Sequence, residues 1–162
     1  EGGESIQLIA IGAYQLIEAQ KMVARLHHND FECSLVYIAE PGRFRCARDP
    51  WELNFVNESN RDILGQPSYR VLLCHGRPEY FLGALRPLDL GPSQTRALGY
   101  INRGGTLDTA GMLFANRCTW AHGLAVLSEL TDDAKNTLSE VEWDAVKGLG
   151  DPYHIISKPY VR

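Results

Sequence analysis

The chain has 162 residues, enough for one domain with a sizeable core, and 44% of them are hydrophobic against 22% charged. A net charge of −4 with dispersed Lys and Arg leaves no basic stripe for a phosphate backbone, which argues against nucleic acid as a partner. No apolar run approaches the roughly 20 residues that span a bilayer, and no signal-peptide pattern opens the chain, so no membrane partner and a cytoplasmic location are expected. Cys33, Cys46, Cys74 and Cys118 show no C-x-x-C spacing, which fits a reduced compartment better than a disulfide framework or a zinc site.

Residues 1–5 read as a linker or a cut end. Ile6 to Ile11 is a near-continuous apolar run closed by Gly12, the pattern of a strand buried on both faces. Leu16, Ala19, Met22, Val23 and Leu26 then recur at helical spacing, predicting an amphipathic helix over Tyr14 to Leu26. Cys33 to Ala39 is a second strand, and Asp49-Pro50-Trp51-Glu52 looks like a capped helix start. Tyr69 to Cys74 is a third strand, followed by a short helix over Tyr80 to Leu85 between Pro78 and Pro87. Arg96 to Ile101 is a fourth, weaker strand because Gly99 interrupts it.

Beyond the Gly104-Gly105 turn, Thr109 is the expected cap of one helix carrying Leu113, Phe114, Cys118, Ala121, Leu124, Ala125 and Leu127. Ser139 and Glu142 form a capping box ahead of Val141, Trp143 and Val146, and Gly148 ends that helix. The tail, residues 151–162, is expected to be extended. Alternating strands and helices over residues 6–150 imply an α/β fold with three α/β/α layers and a mostly parallel sheet.

Few residues carry visible chemistry. Gly12 stands alone where a dinucleotide fingerprint needs three glycines, so it reads as a tight turn. The sequence lacks G-x-S-x-G, H-E-x-x-H and the P-loop pattern, and no nucleophile has an evident base, so no catalytic residue and no metal ligand is assigned. His27 and His28 lack the further ligands of a metal site, and His122 reads as a packed helix residue. The candidate ligand- or anion-binding residues are His75 and Arg77, just past the third strand, and Asn102, Arg103, Gly104, Gly105 and Thr106, past the fourth. Arg77 could hold a carboxylate or phosphate, or simply pair with Glu79. The two glycines permit positive φ, and amides of such a turn can form an anion-binding concavity, or the glycines merely shape a sharp turn.

The order of these pieces resembles the C-terminal domain of transketolase-type thiamine-diphosphate enzymes, and phosphoketolases in particular. The likeness rests on Ile6 to Gly12 followed by Glu18-Ala19, on His75, Gly76 and Pro78, and on Gly99-Tyr100, Gly105-Thr106, Thr109, Met112 and Asn116. Asp108, the Ala110-Gly111 pair and the segment Arg117 to Trp120 depart from the family pattern, as in a divergent branch. The resemblance implies a five-stranded mixed sheet with one antiparallel strand. It also implies a non-catalytic third domain that packs against the cofactor-binding domains of a homodimeric enzyme acting on sugar phosphates. Thiamine diphosphate and Mg would then belong to the parent enzyme, with no cofactor in this chain. The residues themselves leave open a small-ligand or anion-binding regulatory module, and an α/β enzyme of unrecognised type.

Overall fold

The computed structural model describes residues 5–52, 64–103 and 105–157. Its frame is a parallel sheet of β1 (Ile6–Ile11), β2 (Cys33–Tyr37), β3 (Tyr69–Cys74) and β4 (Thr95–Leu98), in the order β2-β1-β3-β4. Registers run Ile6 to Cys33, Ile6 to Tyr69 and Arg70 to Thr95, so all four strands end at the same rim. The apolar run of β1 is buried throughout, as a central parallel strand requires. All strands of the described residues are parallel, and the antiparallel fifth strand implied by the resemblance is not among them.

Alternation along β1 and β3 builds two cores. Ile6, Leu8, Ala10, Val71 and Leu73 face α1 (Ala13–His28) and α4 (Trp120–Leu127). Ile9, Ile11, Leu72 and Cys74 face Phe81 and Leu85 of α2 (Pro78–Ala84) and its exit, and Leu88 beyond. Helices therefore cover both faces, with α1 and α2 on opposite sides. A Cβ at Gly123 would collide with Met22 Sδ, so the glycine lets α4 lie close on α1. No helix of the described residues is long and apolar enough to cross a membrane.

Four sequence expectations need correction. The helix expected to run on from Thr109 is two helices, α3 (Thr109–Ala115) and α4, with Asp108 rather than Thr109 as the first cap. Asp108 Oδ1 accepts from Gly111 N at 2.7 Å. The break falls at Asn116 to Thr119, where Arg117 takes φ 56° and Thr119 opens α4 by capping His122 N. Glu18 Oε2, reaching across from α1, accepts Trp120 N at 2.8 Å and places a carboxylate at the α4 N-terminus.

The tail is helical over its described part, α6 (Pro152–Ser157), rather than extended. Asp151 caps it, accepting from His154 N at 3.3 Å, and Pro152 suits its first turn. Trp120 Nε1 anchors it by donating to Ile156 O at 2.8 Å. β4 stops at Leu98 rather than Ile101. A Cβ at Gly99 would meet Gly76 O, so here the two chain segments touch backbone to backbone. Residues 49–52 form a turn in which Asp49 Oδ1 accepts from Trp51 N and Glu52 N, the contacts expected of a cap; the helix expected to follow falls on residues 53–63, outside the described residues. Glu52 does not close the expected box but holds the Arg48 amide and the guanidinium groups of Arg45 and Arg48.

The α5 capping box is present as expected: α5 (Glu140–Val146) begins with Ser139 and Glu142 bonded reciprocally, and Gly148 comes after it at φ 84°. All four cysteines are free thiols, and burial pushes Cys74 and Cys118 up to about 12.

Candidate functional site

The strand order defines where a site belongs. β1 is followed by a helix on one face and β3 by a helix on the other, so the chain diverges between their carboxyl ends and leaves a crevice there. That crevice is occupied by a cleft of about 310 Å³, lined by Tyr14 and Gln15 of α1, His75 after β3, Tyr100 after β4, and residues of α3 that include Met112. The order β2-β1-β3-β4, with helices on both faces and a cleft between the ends of β1 and β3, makes this a doubly wound α/β domain. No family model matches the sequence, and no curated protein matches it.

His75 is set by backbone contacts. Its amide donates to Ile11 O at 2.9 Å and its Nδ1 lies 3.0 Å from the same carbonyl. A carbonyl only accepts, so Nδ1 carries a proton and donates to it. Beside it, Tyr100 N donates to Gly76 O at 2.9 Å, joining the segments after β3 and β4. His75 and the turn after β4 therefore share one rim, and His75 and Tyr100 line one cleft.

The turn itself is organised by a residue that the motif reading gave no role. Asn116 is buried, and its Oδ1 accepts Ile101 N and Arg103 N, each at 3.0 Å. Its Nδ2 donates to Arg103 O and Met112 O, each at 2.9 Å. Of the candidate turn amides, that of Arg103 is thus already used, as is the Ile101 amide just before the turn. Positive φ falls on Asn102, at 60°, a residue type that tolerates it, and Gly105 does not adopt it. Asn102 Oδ1 accepts from the Tyr100 hydroxyl at 3.2 Å.

The remaining candidates stand apart from the cleft wall. Arg77 is exposed at the N-cap of α2, and no ion pair to Glu79 is present among the described residues. Arg103, Gly105 and Thr106 are exposed, while Gly104 lies outside the described residues. Among the described residues no group of three or more His, Cys, Asp or Glu could hold a metal.

Sequence reading also passed over Gln15, which was masked by its helical neighbours. The available signal was position: it sits three residues after Gly12, in the first turn of a helix leaving a central strand. The outer wall is tied down by Asp108, whose Oδ2 accepts from the Tyr153 hydroxyl at 2.8 Å. The Gly111 amide, then that hydroxyl, holds the Asp108 carboxyl below its ordinary range.

Proposed function

We propose that this chain is the non-catalytic C-terminal domain of a thiamine-diphosphate-dependent, phosphoketolase- or transketolase-like enzyme, supporting domain packing and assembly of a homodimer. The observation that carries this reading is an exposed apolar surface around the crevice. Tyr14 and Ile17, one turn apart on α1, are 56% and 49% exposed, and Leu107 is 48% exposed on the same cleft as Tyr14. Ile17 also lines a neighbouring hollow with Ala110, Leu113 and Ile156, so the surface continues across α3 and α6. Contiguous apolar surface of this kind marks a place where another protein surface docks. The cofactor-binding domains of the parent enzyme are its partner in this reading, and thiamine diphosphate and Mg are bound by those domains. A fifth, antiparallel strand, a cytoplasmic location and sugar-phosphate substrates belong to the same reading.

Calorimetry of the isolated chain with thiamine diphosphate and magnesium tests it. No heat of binding is expected from the chain, and binding is expected from the full parent polypeptide. Micromolar affinity in the chain alone would overturn the assignment.

A second reading, a small-ligand or anion-binding regulatory module, is favoured by the cleft at the β1/β3 crevice. Titration with inorganic phosphate tests its anion form, with Arg103→Ala expected to weaken binding at little loss of thermal stability.

A further inference from the structure

One polar side chain in the crevice is left unused by the fold. Gln15 is only 8% exposed, yet its carboxamide makes no hydrogen bond with the described residues. Its Oε1 lies over the Cα of Gly12, where an added Cβ would collide with it, and the Cβ of His75 packs on the same glycine. The carboxamide therefore sits at the base of the crevice, between the ends of β1 and β3. Asn116, also buried on the same rim, has its oxygen and its amide nitrogen each bonded twice. The Gln15 carboxamide makes no bond with the described residues and opens on the cleft, so its donors and acceptor are free to pair with a molecule seated there.

The rest of the lining decides what kind of molecule. No Asp, Glu, Lys or Arg is among the described residues that line the cleft, so a charged ligand would be desolvated without a counter-charge. Tyr14, Tyr100, Leu107 and Met112 supply apolar and aromatic contact instead. The cleft's 310 Å³ lies at the low end of the roughly 300–1,000 Å³ typical of small-molecule sites. Gln15 offers an acceptor and two donors in one plane, the arrangement that pairs with a donor–acceptor edge on a heterocyclic base. His75, whose Nδ1 is held by Ile11 O, lines the same cleft.

We propose that this cleft binds an uncharged planar heterocycle of the nucleobase type, its donor–acceptor edge paired with the Gln15 carboxamide. The proposal rests on the second reading above and narrows its ligand from an anion to a neutral ring.

Adenosine and uridine, with inorganic phosphate in parallel, are titrated into the chain by calorimetry and by proton–nitrogen NMR. Saturable binding of a nucleoside is expected, with movement of the Gln15 side-chain amide signals. Gln15→Leu is expected to lose about tenfold or more in affinity, and Arg103→Ala to leave it unchanged. The NMR readout uses the unaltered chain, so it decides the matter even if Gln15→Leu folds poorly. Absence of nucleoside saturation, or saturation with the Gln15 signals unmoved, would overturn the proposal. Phosphate binding that Arg103→Ala weakens, with no nucleoside binding, would overturn it while leaving the anion form of the second reading intact. No binding of any of the three would overturn both.

Discussion

Asn116 and Arg103 exchange two hydrogen bonds: Arg103 N donates to Asn116 Oδ1 at 3.0 Å, and Asn116 Nδ2 donates to Arg103 O at 2.9 Å. The pair links the end of α3 to the turn after β4 across the crevice rim. Asn116→Ala leaves Ile101 N, Arg103 N, Arg103 O and Met112 O without that partner. The expected loss is about 1–3 kcal/mol in urea unfolding, with faster amide exchange at Ile101 and Arg103 before global opening. Unchanged exchange at those two amides would show that Asn116 does not hold the turn.

Two glycines of the same rim make contrasting predictions. A Cβ at Gly99 meets Gly76 O and comes within 3.0 Å of Pro78 Cδ, both parts of a constrained backbone segment. Gly99→Ala is therefore expected to cost ~1–3 kcal/mol and to separate the two segments. Gly105 has nothing within 4 Å of such a Cβ and does not adopt positive φ, so Gly105→Ala is expected to be near neutral. Equal effects in thermal unfolding would contradict this placement of the two chain segments.

The fold was legible where local pattern and tertiary demand coincide. The bounds of β1 and β3 come from their apolar runs, and α5 from its reciprocal Ser139–Glu142 box. It was less legible where distant residues decide. The division of α3 from α4 depends on Asn116 turning toward residues 101–103 and on Glu18 reaching Trp120 N from α1, neither visible in helical periodicity. Asp151-Pro152 is a helix start by its residue types, but its Ile155-Ile156 pair also reads as a strand, and packing against Trp120 selects the helix. At the site, His75 was readable because it ends a strand. Gln15 was not, because only the three-dimensional crevice shows that its carboxamide lines the cleft without a hydrogen bond to the described residues.

Arg25 and Glu142 join α1 to α5 through a two-pronged pair, at 2.9 Å for Nη1 to Oε2 and 2.6 Å for Nη2 to Oε1. Arg25 also donates to Thr137 O at 2.8 Å and lies 4.9 Å from the Trp120 ring centroid. Burial alone would raise the Glu142 carboxyl, but hydrogen bonds from Arg25 and from the Ser139 amide and hydroxyl outweigh it and hold the carboxyl low. Its contribution is thus complete above the unfolded carboxyl range near ~4.3 and is lost as pH falls through the lower folded value. Glu142→Gln is expected to destabilise by about 1–3 kcal/mol at pH 7 and to flatten the acid limb of stability against pH. An unchanged acid limb would mean that this pair does not set it.

His122 supplies a second pH dependence at a higher range. Burial first, then the nearby Arg117 charge, lowers its imidazole to about 4, with a hydrogen bond to the Val146 carbonyl opposing the shift. That carbonyl can only accept, so the proton sits on Nε2, and Nδ1 accepts from the Thr119 hydroxyl at 2.7 Å. The folded state therefore keeps a neutral ring where the unfolded chain, titrating near ~6.5, takes up a proton. Stability is complete above that unfolded value and falls as pH drops from about 6.5 toward the folded value, by roughly 3 kcal/mol in all. His122→Phe removes the titration, so its stability is expected to be flatter between those limits, although the Thr119 hydroxyl loses its acceptor. Urea unfolding at half-unit pH steps reads both slopes. A native chain with no loss of stability between pH 6.5 and 5 would show that His122 is protonated in the folded state, contrary to its buried, neutral setting between Thr119 and Val146.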